Sequence, residues 1–388
     1  MREGWEYKKL GQVCTSDLGK TLNKSKDRGE LHPYLCSINI LWDKIDLSTL
    51  KQACFEADEQ EKYSVRKGDL LVCEGGDTGR SAIWDRDETI LYQNALHRLR
   101  FHESVSPKFV LFYLMYLKDI GEIDNKYSKG VTIKHLVKKA LLSIPLPIPP
   151  KSTQLSIVSE LDKINELIRI KKEQLKDYDT LAQSIFYEMF GEPVENEKGW
   201  EVKKFGEIGT LEKGAGISKK DFVDDGLPCI HYGQLHTIFG AYTRNNITFI
   251  PKDLLPKYKI AHSGDLILAI TSEDVEGSCK STAWLGDYDV VVGSDAAIFH
   301  HNQNGIYLSY YTRTKAFYNE KAKYAKGFKV THISTKEIAS ISICIPPISI
   351  QNTFANKIEQ IEKQKAIIQK IIMDLETLLA SRMQYWFD

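Results

Sequence analysis

The sequence lacks the features that are typical of membrane, disulfide-stabilised and zinc-binding proteins. None of its apolar runs approaches the ~18 residues that a membrane-spanning helix needs, and the first residues have no apolar core of a signal peptide. The 7 cysteines are scattered and include no Cys-x-x-Cys pair, which argues against a disulfide framework or a zinc site. We therefore expect a cytoplasmic protein with reduced, buried cysteines.

Complete catalytic and nucleotide-binding motifs are also missing. Gly19-Lys20-Thr21 has the end of a phosphate-binding loop, but Cys14 stands where the first glycine is required. There is no His-Glu-x-x-His metal motif, no Gly-x-Ser-x-Gly elbow and no Asn-Pro-Pro-aromatic methyltransferase motif. These absences favour a binding protein, with an enzyme whose motif is not recognised as an open alternative.

The chain has no net charge, because 52 lysines and arginines balance 52 aspartates and glutamates. Two segments, residues 125–159 and 321–336, nevertheless contain no acidic residue, and each carries several lysines and a histidine. Because they occupy corresponding places in the two halves of the chain, we expect them to face phosphate. A solvated surface beside an acidic partner protein is the alternative.

What the sequence does contain is a duplication. The motif Gly4-Trp5-Glu6 returns at residues 199–201, Gly68-Asp69-Leu70 returns at 264–266, and Pro149-Pro150 with Gln154 returns as Pro346-Pro347 with Gln351. The separation grows only from 195 residues, for Gly4 and Gly199, to 197 residues, for Pro149 and Pro346. Both halves should therefore share one fold.

Each pair of prolines leads into a heptad pattern, in which seam positions recur at alternating steps of three and four residues. The seam positions of the first pattern are Ile157, Leu161, Ile164, Ile168, Lys171, Leu175 and Tyr178. Those of the second are Phe354, Ile358, Ile361, Lys365, Ile368, Ile372 and Leu375. This predicts two long coiled-coil helices whose single seam lysines fix the register of their antiparallel pairing.

The globular part of each half reads as mixed α/β. Residues 70–73 and 266–270 are short apolar runs after a Gly-Asp turn, which predicts buried strands. Residues 108–118 and 306–317 look helical. We divide the chain into a domain at 1–147, a helix at 148–191, a domain at 192–344 and a helix at 345–388. The segments between the shared motifs differ, which favours different binding specificities over plain drift.

This duplicated order of variable domain and Pro-Pro-x-x-x-Gln helix resembles the specificity (S) subunits of type I restriction–modification systems. The resemblance implies an α+β architecture of two pseudo-repeated target-recognition domains, separated and joined by the two antiparallel helices. It implies a non-catalytic subunit that reads a split site in double-stranded DNA, one half per domain. It also implies that Leu155, Leu167, Phe186 and Phe190, expected on the outer helix faces, are covered by a partner.

The partners implied by the resemblance are two DNA methyltransferase (M) subunits, which methylate adenine, and restriction (R) subunits, which translocate and cut DNA. S-adenosylmethionine, ATP and Mg²⁺ would be bound by these partners and not by this chain. A fused restriction–methylation polypeptide could replace the separate partners. The rival interpretation is a duplicated coiled-coil adaptor that does not bind DNA; binding to nucleic acid that weakens steeply with salt would separate the two.

Base edges are read best by polar and basic loop side chains. The candidates in the first domain are Ser37, Asn39, Thr78, Arg80, Gln93 and Asn94. The candidates in the second domain are His231, Tyr232, Gln234, His236, Thr271, Ser272 and Lys280. The candidates for phosphate contacts are Lys129, Thr132, Lys134, Lys326, Lys329 and Thr331. For any one of them, an ordinary polar loop position explains the residue equally well.

Overall fold

The computed structural model describes residues 4–23, 27–130, 134–217, 219–252, 258–325 and 330–388. The chain divides into two compact units. The first unit contains Met1–Lys172 and Gln369–Asp388, and the second unit contains Glu173–Ile368. Each unit holds one globular domain, here domain 1 and domain 2, together with parts of two long helices. The division therefore cuts each long helix, whereas the heptad patterns predict each helix as a segment of its own.

Domain 1 is a mixed α/β domain of short strands. Its strands are β1 (Glu6–Lys9), β2 (Cys14–Leu18), β3 (Glu30–Leu35), β4 (Ile40–Leu41), β5 (Lys44–Ile45), β6 (Lys51–Phe55), β7 (Ser64–Val65), β8 (Leu70–Cys73), β9 (Ser81–Ile83), β10 (Ile90–Tyr92), β11 (Leu96–Phe101) and β12 (Pro145–Ile148). Its helices are α1 (Ala57–Lys62), α2 (Pro107–Asp119) and α3 (Lys138–Ser143), followed by the long helix α4 (Lys151–Phe190). Shorter helical turns cover Leu10–Gln12, Ser37–Asn39 and Ile123–Tyr127.

Two sheets form the body of domain 1. One has the strand order β2–β11–β8–β9 and is antiparallel, whereas the other has the order β6–β3–β10–β7, in which β3 and β10 run parallel. A ribbon of β1 and β12 joins the beginning of the domain to its end. All residues of β8 are buried, as the apolar run after the Gly-Asp turn predicts.

Domain 2 repeats this plan. Its strands are β13 (Glu201–Lys204), β14 (Gly209–Lys213), β15 (Leu227–Ile230), β16 (Tyr242–Thr243), β17 (Thr248–Ile250), β18 (Lys259–Ala261), β19 (Leu266–Ala269), β20 (Thr271–Ser272), β21 (Ser281–Trp284), β22 (Val290–Val292), β23 (Ala296–His301), β24 (Thr331–His332) and β25 (Ser342–Ile345). Its helices are α5 (Phe205–Ile208), α6 (Tyr232–Thr237), α7 (Gly305–Tyr311), α8 (Lys315–Ala322) and α9 (Thr335–Ala339), before the long helix α10 (Ile348–Phe387). A helical turn covers Lys219–Asp221.

The strand order of domain 2 matches that of domain 1. Its sheets have the orders β14–β23–β19–β21–β16 and β17–β15–β22–β18, and β15 and β22 are parallel, as are β3 and β10. Strand β16 extends the first sheet by one strand, and β13 and β25 form the terminal ribbon. The prediction that both halves share one fold is confirmed.

The helix expected at 306–317 is wrong in one respect, because the structure divides this segment between α7 and α8. The hydroxyl of Thr314 accepts a hydrogen bond from the backbone N–H of Phe317, at 3.3 Å, and so caps a new helix. A side-chain oxygen at this position satisfies one of the N–H groups that a helix start leaves unpaired.

The glutamine of each Pro-Pro-x-x-x-Gln motif fastens a long helix to its domain. In the first unit, Gln154 Oε1 accepts from the N–H of Ser106 at 2.9 Å, and its Nε2 donates to the carbonyl of Pro149 at 3.0 Å. In the second unit, Gln351 Oε1 accepts from the N–H of Asn304 at 2.9 Å and Nε2 donates to the carbonyl of Pro346 at 2.8 Å. Both glutamines are buried, so each motif marks a structural joint at the start of its helix.

In the first unit, the beginning of α4 packs antiparallel to the end of α10. Glu160 accepts hydrogen bonds from Arg382 and from the indole N–H of Trp386, the latter at 3.0 Å. Twelve residues along α4, Lys172 Nζ donates to Glu376 Oε1 at 2.7 Å. The buried seam residues in this unit are Ile157, Leu161, Ile164, Ile168 and Ile372, with Lys171 and Leu375 half-buried.

In the second unit, the end of α4 packs antiparallel to the beginning of α10. Lys365 Nζ lies 2.7 Å from Asp179 Oδ1 on the opposite helix, and the rings of Phe186 and Phe354 meet at 5.6 Å between centroids. The buried seam residues in this unit are Phe354, Ile358, Ile361 and Ile368, with Leu175, Tyr178 and Lys365 half-buried. The ion pair of Lys365 accords with a role in register, which stays a prediction.

The prediction that Phe186 and Phe190 lie on an outer helix face is wrong. Both are buried, because they pack against Tyr307 of α7, at 5.9 and 4.7 Å between ring centroids. Leu155 and Leu167 are exposed, as expected. The heptad pattern alone does not show that the globular domain also covers one side of the helix pair.

Candidate DNA interface

In domain 1, four loops that contain predicted contact residues meet at one end of the two sheets. These loops, together called edge 1, are residues 36–39, 74–80, 93–95, and 128–130 with 134–135. The first and third follow the parallel strands β3 and β10, whose carboxyl ends coincide. Arg80 donates to the carbonyl of Ser37 at 2.9 Å, and the backbone of Gly75 pairs with that of His135. Residues far apart in the sequence thus form one surface.

In domain 2, the corresponding loops meet in the same way. Edge 2 consists of residues 231–237, which include α6, with 271–280, 293–295 and 331–332. Lys280 Nζ donates to the carbonyl of His236 at 2.7 Å. Strand β20 pairs with β24, so that Thr271 lies opposite His332, just as Gly75 lies opposite His135 in domain 1. The two edges are equivalent in topology and different in side chains.

The family model described as "Type I restriction modification DNA specificity domain" matches this chain twice, at residues 2–177 and 197–377. The matches cover both domains and most of both long helices. The chain belongs to this family.

Relatives agree with this assignment. The type I restriction enzyme MjaVIII specificity subunit of Methanocaldococcus jannaschii is 23% identical over 406 residues, which cover 97% of this chain and 92% of the relative. The EcoKI specificity subunit of Escherichia coli is 21% identical over 185 residues, or 45% of this chain and 39% of the relative. The chain is therefore a type I specificity subunit. The alternative, an adaptor that does not bind DNA, is not supported.

Two solved structures have the same fold as this family member over nearly the whole chain. One, from work on the complex assembly and conformational transition of the type I restriction–modification system, has a TM-score of 0.61 at 17% identity and covers 100% of this chain and 98% of its own. The other is the S subunit of the type I system from M. genitalium, which has a TM-score of 0.55 at 13% identity. The match covers 99% of this chain and 96% of the M. genitalium chain.

Three of the predicted base contacts use their polar groups inside the domain. Asn39 Oδ1 accepts from the N–H of Cys36 at 2.9 Å, and Gln234 Oε1 accepts from the N–H of His231 at 2.9 Å, so both amides close the same turn after β3 and β15. Thr78 is buried and donates to Asp124, at 2.8 Å. Polar side chains next to strand ends often form such local bonds, which the sequence does not distinguish from free groups.

Most of the other candidates that the structure describes are buried or half-buried. Burial lowers the pKa of His231, and its Nδ1 accepts from the N–H of Gly233 at 3.2 Å, so the ring is neutral at pH 7 and is engaged locally. Thr331 is buried in β24. The half-buried candidates on the edges are Ser37, Gln93, Asn94, Lys134, Tyr232, His236, Thr271 and Ser272, whereas Lys129 is exposed. Thr132, Lys326 and Lys329 lie outside the described residues.

Acidic side chains enter both edges from outside the acid-free segments. In edge 1, the carboxylates of Asp77 and Asp124 lie 2.8 and 3.0 Å from Lys118 Nζ, which reaches in from the end of α2. In edge 2, Glu273 and Asp274 are exposed. An acid-free segment of sequence therefore does not produce an acid-free surface. Carboxylates can accept hydrogen bonds from the exocyclic amine of cytosine, so this mixture suits base reading as well as phosphate contact.

Within the described residues, no group of three or more His, Cys, Asp or Glu side chains is arranged to hold a metal ion. None of the helices described is both long and apolar enough to cross a membrane. Lys20, the lysine of the incomplete phosphate-loop motif, donates to the carbonyl of Cys54 at 2.8 Å and to Glu59 at 2.7 Å. Its ammonium group therefore makes hydrogen bonds within domain 1.

Proposed function

We propose that this family member directs a type I restriction–modification complex to a two-part site in double-stranded DNA. Edge 1 would read one half of the site and edge 2 the other. The observation that carries the proposal is the assembly of separate, divergent loops at the equivalent end of two domains with one fold. Polar side chains in groups of this kind can read the donor and acceptor pattern of the major groove.

We further propose that the long helices carry two methyltransferase subunits and that restriction subunits join this core. Exposed apolar residues at corresponding positions of the two helices support a covered surface there. Ile170 corresponds to Ile367 and Leu181 corresponds to Leu378, and all four side chains are exposed in the described structure. This chain would take no part in the chemistry. The partners would methylate adenine with S-adenosylmethionine and would use ATP and Mg²⁺ for translocation and cleavage.

Co-expression of the chain with the methyltransferase subunit of its own system, followed by modified-base sequencing of the host DNA, tests the proposal. We expect methylated adenine within one motif made of two short specific parts and a gap. Replacement of residues 1–145 by the first domain of another specificity subunit should then change one part of the motif only.

Two results would contradict the proposal. A methylated motif without a gap would argue against two separate reading domains. A domain replacement that alters both parts of the motif, or neither, while the complex still forms would argue against one half-site per domain. The complex itself is checked by co-purification of the two subunits.

A further inference from the structure

The loop between β8 and β9 of domain 1 is held by two cationic side chains. Lys118 Nζ, from the end of α2, lies 3.2 Å from the carbonyl oxygen of Thr78 and donates to it. Arg80, two residues further on, donates from its terminal guanidinium nitrogen to the carbonyl of Ser37 at 2.9 Å. The first contact fixes the loop to the helix behind it, and the second joins the loop to the helical turn Ser37–Asn39.

The loop between β19 and β21 of domain 2 is held in the same manner. Lys321 Nζ, from the end of α8, donates to the carbonyl of Ser278 at 2.5 Å and to that of Glu276 at 2.9 Å. Lys280, two residues after Ser278, donates to the carbonyl of His236 in α6 at 2.7 Å. Each domain thus has one cation that anchors the loop and one that ties it to the neighbouring helical element.

The two ties occupy the same structural position. Arg80 stands directly before β9, which begins at Ser81, and Lys280 stands directly before β21, which begins at Ser281. The acceptor carbonyls belong to helical elements that follow the equivalent strands β3 and β15. The side chains differ, arginine in one case and lysine in the other, but the bond is a charge-assisted hydrogen bond to a carbonyl in both.

Both side chains point into the domain. The Nε atom of Arg80 is buried, and its side chain is only 23% exposed. Burial lowers the pKa of Lys280, and neighbouring Arg313 lowers it further, which agrees with an ammonium group held partly away from water. A side chain that projects from an edge to reach a base would be expected to keep its cationic group free.

We propose that Arg80 and Lys280 are positioning residues that couple the two base-reading elements of each edge, and so set the stringency of one half-site each. This inference rests on the proposed function. From the sequence alone, both residues are candidates for direct base contact, which is the competing explanation. The two explanations differ in how many base positions depend on each residue and in whether another cation can substitute.

The test uses the full chain with its methyltransferase subunit and measures methylation at every one-base variant of the motif. For Arg80→Met we expect at least two neighbouring positions of one half-site to lose about tenfold or more in discrimination, since a misplaced element affects several contacts. The other half-site should be unchanged. Lys280→Met should give the mirror result in the other half-site.

Conservative exchange separates positioning from direct reading. Arg80→Lys and Lys280→Arg keep a cationic donor for the carbonyl, so both should retain the wild-type motif. A bidentate contact from arginine to guanine is not replaced well by lysine. Loss of discrimination at one position only, with no rescue by Arg80→Lys, would overturn the proposal in favour of direct contact.

Lys129→Met provides the matched control on edge 1. As an exposed lysine predicted to meet phosphate, it should lower methylation evenly at all motif variants without changing the motif. An unaltered motif in both methionine variants, or failure of both to assemble with the methyltransferase, would overturn the proposal. A wild-type chain that gives no two-part motif would instead refute the proposed function, so the two failures are distinguishable.

Discussion

Domain 1 and domain 2 perform the same structural tasks with different side chains. In domain 1, Asp69 closes the turn before β8 and accepts two hydrogen bonds from Arg100, at 2.8 and 2.7 Å. In domain 2, Asp265 closes the turn before β19 and is contacted by His300 Nδ1 at 2.8 Å. The aspartate is common to both, while its partner differs.

This difference shows which parts of a duplicated chain are constrained. Residues that bond to the backbone at a turn or a helix start recur in both halves, as Gln154 and Gln351 do. Their partners, and the loops of the two edges, can change while the strand order is preserved. Loops that differ on a shared scaffold are the pattern expected where two domains bind different sequences.

The largest expected losses of stability concern two phenylalanines through which the long helices pack against the domains. Phe190 of α4 contacts Tyr307 and Phe354 at 4.7 and 5.3 Å, and Phe387 of α10 contacts Phe109 and Tyr113 at 5.5 and 5.3 Å between centroids. Phe190→Ala and Phe387→Ala should each lower the free energy of unfolding by about 3–5 kcal/mol. The loss should be greater for Phe190, which is 2% exposed against 8% for Phe387.

Amide hydrogen exchange shows which domain each variant destabilises. Phe387→Ala should raise exchange in α2 and leave α7 protected, and Phe190→Ala should do the reverse. Leu181→Ala and Leu378→Ala serve as controls, because these corresponding side chains are exposed and their removal should change the free energy of unfolding little. Equal exchange of α2 and α7 in both phenylalanine variants would show that the two domains open together and that neither contact stabilises one domain alone.

A smaller loss of stability is expected from an ion cluster in domain 1. Its central lysine corresponds to an alanine in domain 2. Lys20 is 5% exposed, and its ammonium group lies 2.7 Å from Glu59 and 3.3 Å from Asp27. Ala215 occupies the corresponding position, since the N–H groups of both residues donate to the end of the equivalent strand, β10 or β22. Lys20→Ala should destabilise domain 1 by about 3 kcal/mol, the lower end of the range for removing one partner of a buried ion pair, because it leaves two carboxylates without their partner.

The measurement is urea unfolding of the full chain. Lys51→Ala removes an exposed lysine from the same domain and should have almost no effect. Adding Glu59→Gln to Lys20→Ala should recover part of the loss, since one uncompensated charge is removed. No recovery in the double variant would mean that Lys20 stabilises the domain mainly through contacts other than these ion pairs, such as that of its ammonium group with the ring of Phe55, whose centroid lies 4.8 Å away.

Sequence patterns foretold the elements whose periodicity or turn chemistry is local. The heptads gave α4 and α10, the Gly-Asp turns gave β8 and β19, and the shared spacing gave one fold for both halves. The helix predicted at 306–317 of domain 2 was wrong in its extent, because Thr314 starts a new helix within a continuous helical pattern. Its hydroxyl acts through one hydrogen bond that residue type alone does not imply.

The candidate interface was predictable in position but not residue by residue. Loops chosen from composition do meet at one end of each domain, because the parallel pairs β3–β10 and β15–β22 align their carboxyl ends. Asn39 and Gln234 instead accept hydrogen bonds from the backbone of their own turns. Residue type does not reveal this, because the same amide group can close a turn or read a base. Lys118 escaped prediction, because it comes from a helix end that only the fold brings to the loop. Lys321 lies in the segment predicted to face phosphate, but it is buried and donates to loop carbonyls instead.

The smallest effect concerns acid stability, where the domains again differ at one position. His301 ends β23 opposite Gly209, and Phe101 ends β11 opposite Cys14 at the equivalent place. Burial lowers the pKa of His301 to about 4. The imidazole of the unfolded chain has a pKa of about 6.5, so between these two values the unfolded state binds a proton that the folded state does not.

The stability contributed by neutral His301 is therefore complete above pH 6.5 and is lost as the pH falls from 6.5 towards 4. Between pH 7 and pH 5 the loss should be about 2 kcal/mol, and His301→Phe should abolish that component. Urea unfolding at both pH values measures it, with His102→Phe, a change at an exposed histidine, as the control that keeps the wild-type dependence. Burial also lowers the pKa of His97 in domain 1, so some acid sensitivity persists in His301→Phe. An acid loss as large in His301→Phe as in the wild type would show that the β23 histidine is hydrated, and that this position does not distinguish the two domains.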